Sequence, residues 1–536
     1  MNRFLLLLAF FSLVRPVLAD EGQHHEDLTA KQLGTVHFPV SCSDSVKQSF
    51  EQGVALLHSF WYEEAEKTFR QIAKDDPRCA MAHWGVAMSL WHQLWNRPDA
   101  ATLQKGEAEV TQAKALHAKT RRERAYIAAM AAFYDHSDKR SHRVRAYAYS
   151  RAMEQVHRRF PDDHEAAAFY GLSVIASRSG KEAVDAARKE DAIATLEKLF
   201  AEEPDHPGAA HYLIHIYDTP EMAARGLPAA RRYAKVAPAA PHALHMPSHI
   251  FARLGLWQDD IASNLASIAA THQSSEMHMG GEGHQFHAMD FLVYAYLQSG
   301  REAEAQKVIE EVKAMPPMED MYGMGYDPRI SSLVELEASY VLELHHWADA
   351  AALQPVPGAT PGDSAITYRT RAIGLARTGR AAEARQDLSH IESIHQQLLD
   401  EKKEDRAKAV ETDREEAEAW IDHAEGKNEE ALKLLRDLSE DDEGVYAAGD
   451  GIPAHEMLAD MLLEMNRPEE ALVEYEADLK LNPNRFDSLS GAAQAAEKAG
   501  NTGKANSYYA KLVEACAGGD SSRPELAQAK ALLAKK

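Results

Sequence analysis

Apolar side chains recur three and four positions apart through most of the chain, with alanine frequent between them and almost no alternating pattern. That period belongs to helices rather than strands. The helices come in pairs. Around Gly53, Ala65, Phe69 and Pro77, small residues sit where two helices must approach closely, an aromatic fills the groove, and a proline closes the second helix. The same order returns in Asn466-Arg467-Pro468-Glu469-Glu470-Ala471 with Tyr475 and Pro483, and in Gly500-Asn501 with Ala505 and Tyr509. Between them lie Gly255-Leu256-Trp257, Gly300-Arg301-Glu302 with Ala305, Gly379-Arg380 with Ala384, and Gly426-Lys427-Asn428 with Ala431. Each reads as a turn opening a helix.

This order resembles the tetratricopeptide repeat (TPR), a helix–turn–helix unit of about 34 residues. The resemblance covers most of 46–515, best at 46–79, 205–238, 241–270, 286–316 and 452–516. It implies an all-α fold, an α-solenoid (a right-handed superhelix) of about nine to ten TPR-like repeats. One hairpin cannot bury its own apolar face and must stack on its neighbours, so the first helix of every pair lines a concave side. Such arrays serve as binding scaffolds, and the architecture leaves the ligand open.

The expected organisation is a signal peptide at 1–19, an N-terminal extension at 20–45, a TPR-like array with insertions at 46–353, a linker at 354–364 and a C-terminal array at 365–536. The linker is drawn at the turn-rich Gln354–Asp363 stretch. Residues 98–165 hold helices that fit the repeat poorly (Ala100–Leu116, Arg121–Tyr134, Ser141–Phe160). Gly180–Lys189 reads as an insertion, and the charge-dense Leu399–Glu418 as one long solvated helix.

The N-terminus changes the setting. Met1-Asn2-Arg3 is a short basic start, Phe4–Val14 is apolar apart from Ser12, and Val17-Leu18-Ala19 offers a cleavage site. This predicts export, to a periplasmic or secreted location. No second apolar stretch reaches membrane length. With 59 basic against 83 acidic residues, a formal charge of −24 argues against nucleic acid and against an anionic membrane surface. In an oxidising compartment Cys42 and Cys79 can bridge, while three cysteines fix no pairing by count and leave all three reduced as the alternative.

The 27 histidines carry the candidate chemistry. His211 and His215 are four apart, and so are His245 and His249, which places each pair on one helix face. The two pairs are offset by 34 positions, about one repeat length. Counted from Pro207, Pro241 and Phe286, they occupy the fifth and ninth positions, where the next repeat carries Asp290 and Tyr294. His242 and His287 share the second position. The resemblance implies that these three positions face the concave groove. The expected wall has His211, His215, His249 and Asp290 as metal ligands, His245 and His287 as alternatives, and His242, Tyr294 and His284 lining a ligand groove. Pro247 could start its own helix and move His245 into the preceding turn.

Neutral imidazoles with a carboxylate suit Zn²⁺ or Cu²⁺, and a methionine row at 315, 318, 321 and 324 would add soft donors, although it reads better as a hydrophobic flap. Such a wall fits a polar ligand equally well. His83–Trp95 puts Trp84, Trp91 and Trp95 together, which reads as core before ligand surface. There is no GxSxG, no phosphate loop and no dinucleotide fingerprint. Ser248 beside His245 and His249 lacks a strained turn to expose it, so the sequence leans away from an enzyme. Three readings follow: a scaffold for a protein, peptide or small polar ligand, a metal-binding or metal-dependent protein, and a cell-envelope assembly factor.

Overall fold

The computed structural model describes residues 28–94, 97–277, 279, 283–318, 326–440, 444–445 and 447–534. The expected signal peptide and residues 95, 278, 321 and 324 lie outside them. Among the described residues every regular element is a helix. Successive helices pack in pairs and each pair packs on the next, which makes an all-α array of TPR-like repeats.

The repeat grammar acts through shape. Helices Lys47–His58, Tyr62–Asp75 and Ala80–Ser89 close around Phe69. A Cβ added at Gly53 would stand 2.7 Å from that ring, and one at Gly85 2.3 Å. Tyr475 fills the equivalent groove, 2.2 Å from a Cβ at Gly491. Ala65 and Ala471 are fully buried at the same contacts, so the register read from the small residues holds. The three poorly matching helices form at Ala100–Ala115, Arg121–Tyr134 and His142–Arg159. Trp84 and Trp91 are core residues, Trp91 stacked on Phe133 at 3.6 Å.

One expectation is corrected. Leu399–Glu418 is not one helix: Ala381–Asp400 ends and Glu404–Ala424 begins, with Lys402 in the left-handed region at φ 57° between them. The stretch from 354, expected as a linker, is short. Its turn leads straight into helix Pro361–Arg377, whose Thr360 and Asp363 form a capping box, and that helix packs on Pro328–Glu343 and Trp347–Ala350. The buried apolar residues form three clusters, mainly over 28–251, 252–336 and 342–529, with Met279 joining the first and Ala447 and Ala448 the second.

The N-terminal extension is tied down. Cys42 and Cys79 are joined in a disulfide. Phe38 is buried beneath the Arg122 guanidinium, 4.1 Å from its ring. Distant repeats also meet. Trp257 donates to the Asn484 carbonyl at 2.9 Å, and Asn484 donates back to the Gly255 carbonyl at 3.2 Å. Gly255 has φ 63°, and a Cβ there would lie 2.0 Å from the Pro483 oxygen, so only glycine fits. This contact braces the helices that carry the histidines.

Candidate metal centre

Four helices build the histidine wall. Pro207–Tyr217 starts with proline, and the His206 side chain accepts from the Ala209 N–H at its N-terminus. Pro241–His245 and Pro247–Arg253 are two short helices joined at Met246, which keeps helical angles (φ −51°, ψ −34°). Pro247 interrupts the ladder because it has no N–H to donate, yet His245 and His249 stay about one turn apart. Trp257–Glu276 crosses behind them, and Ser267 donates to the Pro241 carbonyl at 2.8 Å. His284–Gln298 brings the last histidines.

The histidines sort into two triads, not one wall: His211, His215 and His242, then His245, His249 and His287. Within each, one ligand atom per residue lies within 4.8 Å of the others. Each triad takes the fifth and ninth positions of one repeat and the second position of the next. The triads adjoin, with ring centroids 6.3 Å apart for His215 and His249 and 6.1 Å for His242 and His245.

In the first triad, His211 Nε2 lies 3.0 Å from His215 Nε2 and 3.1 Å from His242 Nε2. His211 Nδ1 is 2.6 Å from the His58 carbonyl, which can only accept. The ring proton therefore sits on Nδ1, and Nε2 presents its lone pair to the other two rings. Burial and then neighbouring His215 hold the His211 pKa well below the usual histidine value. Burial and then His211 do the same for His242.

The second triad is more constrained. Asn264 donates to Asp260 through Nδ2, so its Oδ1 faces His245 Nδ1 at 2.7 Å and fixes that nitrogen as a donor. His249 Nδ1 donates to the Asp218 carboxylate at 2.9 Å. Both rings thus spend their Nδ1 protons on oxygens, and their Nε2 atoms face each other at 3.0 Å. Two lone pairs cannot sit so close without a cation between them. A proton shared by the two rings is one such cation, although burial and then neighbouring His287 disfavour charge on His245. A metal ion is the other: nitrogens about 2.0–2.1 Å from an ion stand about 2.8–3.4 Å apart for right-angle to tetrahedral geometry. Oxygens behind ligating imidazoles are the usual outer support of such sites. Burial alone would raise the Asp218 pKa, but the His249 hydrogen bond and Arg253 hold it well below the carboxylate range. His287, the most exposed of the six, opens the triad to solvent, 4.6 Å from His245 by ring centroid.

Other residues of the expected wall lie elsewhere. Asp290 belongs to neither triad and accepts from Ser332 at 2.9 Å. Tyr294 does not line the groove; it is buried, and its hydroxyl accepts from Arg485 at 3.0 Å. His284 lies beside His242, the rings tilted at 44° with centroids 5.3 Å apart. Ser248 is buried and only 3.4 Å from the already engaged His245 Nδ1, so it is no exposed nucleophile. Met315 and Met318 pack against apolar core, as a hydrophobic flap would.

Several supporting residues escaped the sequence reading. Phe60, in the left-handed region at φ 54°, stacks on His215 and His242 at 5.7 and 5.3 Å and closes the first triad. Asp218 and Asn264 orient the second. A third group, His58, Glu165 and His206, is complete without an ion. Glu165 accepts from His58 at 2.7 Å and from His206 at 3.1 Å, since His206 Nδ1 is the acceptor at its helix end. It holds the His58 carbonyl under His211. The signal available in the sequence was spacing: Asp218 precedes His249 by 31 residues, as His211 precedes His242.

No family model and no curated protein matches this chain. Similar solved structures include the human IFIT1 dimer with m7Gppp-AAAA, at 12% identity and a TM-score of 0.36, covering 81% of this chain and 90% of that one. A monomeric IFIT1 mutant with Gppp-AAAA has 13% identity and a TM-score of 0.35, covering 87% and 99%. The TPR domain of P58(IPK) has 13% identity and a TM-score of 0.20, covering 86% and 99%. Overlaps this loose leave the architecture resting on the helix pairs themselves.

Proposed function

We propose that this helical-repeat scaffold is an exported metal-binding protein whose two histidine triads hold first-row divalent ions. The observation that carries the reading is the 3.0 Å approach of His245 Nε2 and His249 Nε2, with both Nδ1 protons already donated. Six imidazole nitrogens and no thiolate suit Zn²⁺ or Cu²⁺. Three protein ligands per ion leave a coordination position for water or a small ligand. A pocket of about 640 Å³, walled by His215, Asp218 and Arg188, opens beside the triads. Export is supported by the basic-then-apolar N-terminus and by the disulfide. A secreted chain starting at Asp20 by N-terminal sequencing supports that part, and recovery of Met1 from the native host rejects it.

The test of metal binding is equilibrium dialysis of chelator-treated protein against Zn²⁺ and Cu²⁺, with the wild type compared with His245→Ala/His249→Ala. Two tight sites in the wild type, one of them lost in the double variant, support the reading. Equal binding by both proteins refutes it.

A further inference from the structure

A second pocket, about 420 Å³, lies where the chain after helix Ala80–Ser89 meets helix His142–Arg159 and the end of helix His164–Ile175. It shares Ser177 and Arg178 with the larger pocket beside the triads. Its lining includes Arg97, Arg143 and Arg178 and no carboxylate, in a chain of formal charge −24. Arg143 donates to the Ser179 carbonyl at 3.3 Å, and Arg178 to the Ser177 carbonyl at 3.2 Å. Main-chain oxygens do not neutralise a guanidinium charge, and the carboxylate near Arg178 is that of Asp185 in the larger pocket. Arg97 approaches Asp405 at 3.7 Å with both side chains exposed, a weak pairing.

The pocket also holds buried polar atoms with no hydrogen-bond partner among the described residues. These are Gln93 Oε1, Ser177 Oγ and His142 Nδ1. Gln93 is 4% exposed and Ser177 6%. Groups so buried ordinarily find partners, and leaving one unmet costs about 1–3 kcal/mol. Gln93 Oε1 can only accept, so its partner must bring an O–H or N–H. The guanidinium groups of Arg143 and Arg178, exposed at the pocket rim, favour an oxyanion.

We infer that this pocket is a ligand site for a small organic oxyanion, a carboxylate or a phosphate ester, that also carries a hydroxyl or N–H group. The anionic end meets Arg143 and Arg178. The donor meets Gln93 Oε1, and Ser177 completes the contact. Through the shared wall at Arg178 the ligand's far end points to the larger pocket, which His215 borders. The site needs no metal, so its success or failure is separate from that of the triads.

The test is calorimetric titration of the chelator-treated full chain with malate, succinate, glycerol 3-phosphate, inorganic phosphate and glycerol. Saturable binding of malate or glycerol 3-phosphate is expected, whichever binds more tightly naming the carboxylate or the phosphate ester. Glycerol should not bind, and succinate, lacking the hydroxyl, should bind less tightly than malate if the site takes carboxylates. Arg143→Gln and Arg178→Gln should each weaken binding at least tenfold while helicity is retained. Gln93→Leu should erase the preference for the hydroxylated acid, and Ser177→Ala gives a second, milder loss should an arginine variant misfold. The inference is overturned if neither organic anion binds, if the folded arginine variants bind as the wild type does, or if inorganic phosphate binds as tightly as the esters.

Discussion

His245 and His249 point their Nε2 atoms at each other across 3.0 Å, while Asn264 and Asp218 take the protons of their Nδ1 atoms. The arrangement orients two lone pairs toward one point. Removing the orienting carboxylate should therefore weaken the site without touching a ligand. Asp218→Asn is expected to lower metal affinity about 10–100-fold. Competition with a chromophoric chelator measures this, and circular dichroism confirms that the variant keeps its helices.

Close helix contacts make a second prediction. Gly85→Ala places a methyl group 2.3 Å from the Phe69 ring, and Ala65→Leu and Ala471→Leu overfill contacts that are already fully buried. Each should destabilise by about 1–3 kcal/mol through overpacking. Urea unfolding provides the check, and neutral results at all three positions would mean a misplaced repeat register.

Acid should unfold the metal-free protein early. Burial, and then His284, lowers the His92 pKa to about 4, and burial with Arg97 and Arg145 lowers that of His142 to about 4. An unfolded histidine titrates near 6.5. Between these values the unfolded chain binds protons that the native chain excludes, so stability is present above pH about 6.5 and falls as pH drops toward about 4. Each such histidine contributes a slope of up to about 1.4 kcal/mol per pH unit. Urea midpoints on chelator-treated protein at pH 7.5, 6 and 5 should fall in that order. A flat profile would contradict neutral burial of these rings.

The Cys42–Cys79 bridge gives a chemical prediction. Under denaturing, non-reducing conditions alkylation should label only Cys516. In the native protein Cys516 should react slowly, because it is buried and its thiol is pushed up to about 12 by burial. Reducing the bridge should cost about 2–4 kcal/mol, since it closes a long loop.

The helical repeat was legible because small residues and aromatics recur where helices must touch, and Phe69 and Tyr475 fill the grooves that spacing assigned them. The histidine positions were legible for the same reason. Their grouping was not. Spacing along one helix put His211, His215, His245 and His249 on a common face, but a triad closes only when the second position of the next repeat swings over, and that depends on how neighbouring hairpins stack. Asp290 and Tyr294 occupy the matching positions one repeat on, and yet they bond Ser332 and Arg485, because distant repeats fold back at 483–486 and offer Tyr294 a buried guanidinium. Phe60 and Asn264 were hidden for a related reason: one lies in a turn and the other in a second helix, outside the face that periodicity singles out.

Metal content of the protein, produced without a histidine tag and purified without added metal, tests the central claim most directly. Elemental analysis should find first-row transition metal at about two ions per chain, with one of them lost in His245→Ala/His249→Ala. Wild-type protein that is folded, refuses Zn²⁺ and Cu²⁺ after purification, and carries only background metal would contradict it.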